Sequence, residues 1–366
     1  MNDELPARLE FAGARARAFF GTGAPGDGAE RAESSSDRRQ PPREEDAQRI
    51  ALRIKAESNT TLDVALTVAR DLVAQARSAL QKTQLSQSEA LALEAVIHVR
   101  GRPALGIFGS RLQPLDNFPG SELWQTFIAD YENEICAAAS VTGGVFVDAP
   151  ATGNPRWLQG SAWLIAPDRV VTNRHVLLPG QSERLVHVGD DERTARVREG
   201  FCLDIEFAAD DRAPAKGDGG RRVTGLLYVA KESDPVDVAV LAIEPYENGT
   251  PLPLAQAGTR PPENLFVVGH PGPAMFVSDE VRSVFGKPDG KKRVSFGKLM
   301  GVAHGGTQIV HDASTVGGYS GGPVVGIRNG FVAGLHYFGD PASGNLAVSA
   351  DALRGHPVFA CLVPRP

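Results

Sequence analysis

GGYSGGPVVG, Gly317 to Gly326, sets a single serine among glycines and follows it with a short apolar run of strand composition. Glycine-rich turns before strands are common, so Ser320 decides nothing by itself. Two earlier segments give it weight. VVTNRHV (170–176) carries an apolar run up to His175, and DPVDVAVLAI (234–243) sets Asp237 just ahead of an alternating apolar run. The chain thus offers a histidine, an aspartate and a serine in that order, each at the edge of a predicted strand.

The three side chains suit one chemistry. A serine hydroxyl is a poor nucleophile at neutral pH and needs a neighbouring base as it attacks a carbonyl. Histidine accepts that proton near pH 7 and returns it to a leaving amine. A rigidly held aspartate fixes the imidazole tautomer and stabilises the imidazolium. Asp234 is a rival for that third role. It precedes Pro235 and reads more simply as a turn residue.

From about residue 140 the sequence is a succession of short strands bounded by Gly, Pro, Asn or Asp. GVFV (144–147), SAWLI (161–165), VVT (170–172), LVHV (185–188), VTGLLYV (223–229), VAVLAI (238–243), LFVVG (265–269), QIVH (308–311), PVVGI (323–327) and FVAGLHY (331–337) all qualify. With no long helix between them, they predict an all-β barrel or sandwich. ADDRAPAKGDGGRR (209–222) and VRSVFGKPDGKKRV (281–294) read as polar loops, the second with a solvated charge run. His270 reads as a turn residue that packs the second half. His304, His311 and His336 share that half without the paired Asp, Glu or Cys pattern of a metal site, so neither metal nor cofactor is expected.

Composition narrows the partners. The 366 residues are 42% hydrophobic, and the formal charge of -6 gives no support to nucleic-acid or anionic-membrane binding. Cys136, Cys202 and Cys361 form no CxxC pair, which argues against a zinc site or a disulfide framework. No apolar run approaches the ~20 residues needed to span a membrane. The start MNDELPARLEF lacks a signal peptide's basic and apolar segments, so a cytoplasmic location is expected.

The amino-terminal third is different in kind. Residues 22–48 are poor in large apolar side chains and rich in Gly, Pro, Ser and charge. Leu62, Ala65, Leu66, Ala69, Val73, Ala76 and Leu80 recur at helical spacing, and Ser86 with Glu89 forms a capping-box pattern before a second helix. HVRGRPALGIF (98–108) predicts a hairpin-containing segment. SELWQTFIADYENEI (121–135) predicts a helix with Leu123, Phe127, Ile128, Tyr131 and Ile135 on one face. The expected division is a flexible, low-complexity 1–44, a mainly helical accessory region 45–139, and a catalytic domain 140–366. The accessory region reads as scaffold, with a protein-binding module as the alternative.

Taken together, GSAWLIAPDRVVTNRHV (160–176), DPVDVAVLAI, HDASTVGGYSGGPVVG (311–326) and GLHYFG (334–339) resemble the trypsin/chymotrypsin-like serine peptidases. They are most similar to the disulfide-poor bacterial branch that includes glutamyl endopeptidases. The resemblance covers about 140–355 and implies a chymotrypsin-like double β-barrel following the amino-terminal helical region. It implies His175 as general base, Asp237 as orienting carboxylate and Ser320 as nucleophile of a serine endopeptidase acting on protein or peptide. It further implies an oxyanion hole from the N–H groups of Gly318 and Ser320. Tyr319 departs from the family's usual Asp, Asn or Ser, which disfavours activation by pairing an aspartate there with a newly cut amino terminus. Ser314 stands where trypsin has the aspartate that selects basic residues. Thr315 and His336 match the positions with which glutamyl endopeptidases bind acidic side chains, so acidic preference is expected. The alternative is a catalytically silent or latent scaffold that binds or signals.

Overall fold

The computed structural model describes residues 101–108, 111–118, 120–150, 154–178, 185–189, 194–207, 220–231, 233–272, 279–286, 290–340 and 344–362. The helices expected within 45–98, the polar segment 22–48 and most of the polar segment 209–222 lie outside these residues. The fold is mainly β, as expected.

Ahead of the barrels lie β1 (Ala104–Leu105), β2 (Ile107–Phe108), β3 (Arg111–Leu112) and α1 (Glu122–Ser140). The first barrel uses β4 (Thr142–Ala149), β5 (Asn154–Ala166) and β6 (Arg169–Thr172), then α2 (Arg174–Leu177). A small hairpin of β7 (Val186–His187) and β8 (Arg196–Val197) precedes β9 (Cys202–Glu206), β10 (Gly220–Val229) and β11 (Ala239–Ile243). The barrel closes in the order β10-β11-β6-β5-β4-β9.

The second half holds β12 (Asn264–Gly269), α3 (Asp279–Phe285), β13 (Arg293–Ala303), β14 (Gln308–His311), β15 (Pro323–Gly326), β16 (Val332–Asp340) and β17 (Gly344–Ser349). Its order is β13-β12-β15-β16-β17-β14, and pairing of β14 back onto β13 closes a second barrel. β1 adds to the outer edge of β13. Two short helices, α4 (Ala350–Gly355) and α5 (Pro357–Leu362), follow, and the Ser349 side chain caps α4 by accepting the Ala352 N–H at 3.1 Å.

Strand alternation explains how both barrels share one core. Along β11, Ala239, Leu241 and Ile243 fill the first barrel, while Val240 and the preceding Val238 point to the layer shared with α1 and the second barrel. Along β12, Leu265 and Val267 fill the second barrel while Phe266 and Val268 face the shared layer. Both faces of these strands are buried, which is why they read as nearly continuous apolar runs.

Helix α1 runs five residues beyond the predicted end and packs most of the expected face inward, with Phe127 and Ile135 buried, Ile128 and Tyr131 partly so, and Trp124 in place of Leu123. Trp124, Phe127, Ile135, Ala138 and Ala139 are buried, whereas Leu123 is exposed. Burying a side chain such as Ile135 contributes roughly 1.5–3 kcal/mol, so this face fastens the helix to the shared core. The 98–108 segment also differs from expectation in detail. Ala104 and Leu105 pair with Ser295 and Val294 of β13, and the local hairpin joins β2 to β3.

The largest departure lies in 281–294. Instead of a solvated charge run, Val284, Phe285, Lys292 and Arg293 are buried. The Lys292 ammonium donates to the carbonyls of Ala139 (2.7 Å), Thr142 (2.5 Å) and Phe207 (2.8 Å). Ala139 lies in the last turn of α1, where carbonyls lack helical partners and the dipole favours a cation. Three N–H donors thus meet three backbone acceptors, and the backbone solvates the charge in place of water. Burial nevertheless pushes the Lys292 pKa down to about 7, with Glu206 opposing that shift.

Candidate active site

The register between β6 and β11 brings His175 and Asp237 together. Thr172 pairs with Ala239, and continuing that antiparallel register by two residues sets Asp237 opposite Arg174, beside His175. Asn173 secures the corner, its side-chain N–H donating to the Asp237 carbonyl at 2.9 Å. His175 then sits on the single turn α2, with its Nδ1 2.5 Å from Asp237 Oδ2. Its backbone N–H donates to the other carboxylate oxygen at 3.1 Å.

Electrostatics fix the protonation pattern. Burial alone would raise the Asp237 carboxyl, but His175 and Arg174 hold it well below the usual carboxylate range. An ionised carboxylate only accepts, so Nδ1 of His175 carries the hydrogen. In the neutral imidazole Nε2 is then the acceptor, the form a general base requires. The rival Asp234 lies elsewhere in the network. Its Oδ2 accepts from Tyr228 at 3.0 Å and lies 2.9 Å from His356 Nε2, tying the loop before β11 to the start of α5.

Ser320 lies in the turn before β15 and is buried. Its turn is tied to Ser161 on β5. Ser161 donates its N–H to the Ser320 carbonyl at 2.7 Å and its hydroxyl to the Gly318 carbonyl at 2.8 Å. The Ser161 carbonyl in turn accepts the Thr172 hydroxyl at 2.7 Å, linking the serine's turn to the strand that leads to His175. Gly160 sits between the two halves of the site, since a Cβ there would lie 2.8 Å from Val176 and 3.1 Å from the Ser320 carbonyl. At Gly321, with φ +88°, a Cβ would overlap the Ser161 carbonyl oxygen, so this position requires glycine. The Ser320 hydroxyl donates to the Tyr337 carbonyl at 3.4 Å. The structure thus joins His175 to Asp237 directly, and Ser320 to their strand through Ser161.

Gly318 has φ +103°, and any side chain there would run into the His270 carbonyl. Among the described residues, the N–H groups of Gly318 and Ser320 have no hydrogen-bond acceptor. Backbone donors of this kind are what an oxyanion hole requires. Tyr319 between them is fully buried, with its hydroxyl 2.8 Å from Ser295 Oγ and its ring edge-on to Phe285 and His336. Burial raises its pKa, which keeps the phenol neutral.

The three expected pocket residues are all close to protein partners. Ser314 donates to the Arg102 carbonyl at 3.0 Å, and Thr315 donates to Asn345 Oδ1 at 2.5 Å. His336 Nδ1 lies 3.3 Å from His311 Nε2. Burial pushes His311 down to about 3, against the opposing charge of Asp312, so it is neutral at physiological pH. His270 is likewise buried and held near 3, chiefly by burial and then by Lys292, with its Nδ1 3.0 Å from the Gly290 carbonyl. Cys136, Cys202 and Cys361 are free thiols. Among the described residues no cluster of His, Cys, Asp or Glu is placed to hold a metal, and no helix is long and apolar enough to cross a membrane.

Sequence reasoning gave Ser161 no role, although it lies within the GSAWLIAP motif. Its importance depends on a contact with a turn more than 150 positions away, which no local pattern reveals.

Two closed barrels with an imidazole–carboxylate pair and a glycine-framed serine between them define a chymotrypsin-like double-barrel fold. Residues 160–335, just under half of the chain, match the trypsin-like peptidase domain family. Among solved structures, the chain aligns with the active form of the Rv3671c protease from M. tuberculosis at 21% identity. That alignment covers 64% of this chain and 86% of that one, with a TM-score of 0.39. It aligns with the inactive form of the same protease at 20% identity, covering 63% and 93%, with a TM-score of 0.38. No curated protein matches the chain.

Proposed function

We propose that the protein is a serine endopeptidase in which Ser320 attacks the scissile carbonyl, His175 takes its proton and Asp237 orients the imidazole. The observation that carries this reading is the 2.5 Å contact between His175 Nδ1 and Asp237 Oδ2, beside a serine whose turn is tied to the same strands. Attack requires the Ser320 hydroxyl to leave the Tyr337 carbonyl and donate to His175 Nε2. The N–H groups of Gly318 and Ser320 then receive the developing oxyanion, and His175 returns the proton to the leaving amine. Water hydrolyses the acyl-enzyme by the same route.

Preference for an acidic side chain at the bond to be cut is part of the proposal, and His336 is its support. If His311 donates from Nε2 to His336 Nδ1, then the hydrogen of His336 is on Nε2, the tautomer that can donate to a carboxylate. Thr315 contributes less than its position implies, because its hydrogen is directed to Asn345. Ser314 brings no negative charge that would attract Lys or Arg.

The direction of the Ser320 hydroxyl, towards Tyr337, supports a second reading in which the site is latent or silent. A fluorophosphonate probe applied to the full-length protein separates the two. Labelling that disappears in Ser320→Ala supports the endopeptidase, and a wild type that never labels favours the alternative. Profiling on a mixed peptide library tests specificity, and a profile without Glu or Asp enrichment removes that part of the proposal. A cytoplasmic location and a protein partner for the amino-terminal region remain proposals drawn from sequence composition.

A further inference from the structure

We propose that Arg102, which lies well before the segment matching the peptidase family, is a positioning residue for the specificity wall at 312–315. The inference rests on the endopeptidase reading above and assigns a part of its machinery to a segment expected to be accessory.

The contacts are built on both sides of the wall. The Arg102 guanidinium grips Asp312 with two parallel bonds, Nε to Oδ1 at 2.7 Å and Nη2 to Oδ2 at 2.6 Å. The Arg102 carbonyl accepts the Ser314 hydroxyl at 3.0 Å. Asp312 and Ser314, two residues apart, are thus both held by one upstream residue. Asn345 holds the alternate positions, accepting from Thr315 and donating to the Ala313 carbonyl at 2.6 Å. The four-residue wall is therefore clamped between Arg102 and Asn345.

Arg102 is itself held in place. The Trp124 ring lies 5.7 Å from its guanidinium, and the indole N–H donates to the Gly101 carbonyl at 2.9 Å. Phe296 donates its N–H to the Pro103 carbonyl at 3.0 Å, and Ala104 pairs with Ser295, the residue that bonds Tyr319 beside the nucleophile. A planar guanidinium fork fits a carboxylate in a way that a lysine ammonium does not reproduce. Displacing the wall should weaken recognition of the substrate side chain while leaving Ser320, His175 and Asp237 in register.

The test compares full-length wild type with Arg102→Ala and Arg102→Lys, using peptide cleavage and the rate of labelling by a small fluorophosphonate. A misplacement on the order of 1 Å costs up to about 100-fold. Both variants should therefore lose about 10- to 100-fold in kcat/KM on the best peptide, mainly through KM, with a flattened side-chain preference. Labelling of Ser320 should stay within about twofold, because the small probe does not use the wall. An unchanged KM and preference in a folded variant overturns the inference, and so does a parallel fall of labelling and cleavage. If Arg102→Ala fails to fold, Arg102→Lys decides. Failure of both to fold makes the residue purely structural and overturns the inference as well. A wild type that neither labels nor cleaves overturns the endopeptidase reading and this inference with it, whereas an active wild type with indifferent Arg102 variants removes this inference alone.

Discussion

Asp237 meets His175 twice, once through Oδ2 at Nδ1 and once through Oδ1 at the backbone N–H. The first contact sets the ring's tautomer, and the second fixes the carboxylate relative to α2. Neither oxygen can turn away without losing a bond, so orientation and protonation are coupled.

Replacing Asp237 by Asn should therefore separate shape from charge. The amide can keep the geometry but favours the wrong imidazole tautomer, and the expected loss in kcat is about 10⁴-fold. Stability should respond to pH as well. The folded carboxyl lies well below its unfolded value near 3.9, so its contribution is complete above that value and is lost as pH falls through the folded one. Denaturation midpoints between pH 2.5 and 6 should fall more steeply towards acid for wild type than for Asp237→Asn. Equal slopes would refute this account of the pair.

Gly321→Ala tests the turn behind the nucleophile. The added methyl would overlap the Ser161 carbonyl and sit at a φ of +88°, which L-residues rarely adopt. Ser161 would have to release the Ser320 and Gly318 carbonyls for the turn to relax. The expected result is loss of fluorophosphonate labelling with near-native circular dichroism, because both barrels close without this turn. Labelling at the wild-type rate would show that the turn tolerates the methyl.

Much of this was legible in the sequence because strand periodicity is local. β11 and β12 alternate between two buried faces, so their apolar runs are visible without a structure. His175, Asp237 and Ser320 stand at strand ends, where turn residues mark them. What could not be read depends on partners distant in the chain. The GKKR run looks solvated because nothing nearby says that Lys292 will meet carbonyls from Ala139, Thr142 and Phe207. Leu123 and Trp124 are adjacent and both apolar, and only the barrel surface determines which turns inward. Strand β9, CLDIE, carries two acidic residues and lacks a strong apolar run, yet it closes the first barrel by pairing with β4 and β10.

Lys292 joins the second barrel to the first and to α1. Lys292→Met keeps much of the volume but withdraws the ammonium from three buried carbonyls, of which that of Ala139 keeps the Val141 N–H. Each carbonyl left unsatisfied costs about 1–3 kcal/mol, so the variant should be destabilised by at least about 2 kcal/mol. The measurement is chemical denaturation of the full-length protein at pH 6, and a change under about 1 kcal/mol would show that water replaces the ammonium.

Tyr319 distinguishes packing from chemistry beside the nucleophile. Tyr319→Phe removes one buried hydroxyl and leaves Ser295 Oγ without that partner, a loss of about 1–3 kcal/mol. Tyr319→Ala removes the ring that packs on Phe285 and His336, with an expected loss of about 3–5 kcal/mol by analogy with other large-to-small core changes. Labelling of Ser320 should persist in the phenylalanine variant, since the backbone donors of Gly318 and Ser320 are untouched. Labelling abolished in a folded Tyr319→Phe would mean that the phenol takes part in the reaction.

His311 offers the most selective test of acidic preference, because it acts only through His336. With its pKa held near 3, chiefly by burial, it is neutral from pH 5.5 to 8 and cannot supply a charge to the pocket in that range. If it donates Nε2–H to His336 Nδ1, its contribution is to fix which nitrogen of His336 carries the hydrogen. His311→Leu removes the partner at 3.3 Å and lets His336 adopt the tautomer that presents an acceptor, which repels a carboxylate. Loss of one such hydrogen bond is worth about 1 kcal/mol, so cleavage after Glu should fall about five- to tenfold relative to cleavage after Gln. In the wild type this ratio should show no His311 titration between pH 5.5 and 8. A variant with unchanged Glu-to-Gln selectivity would leave His336 as a core residue and transfer any acidic preference to other groups.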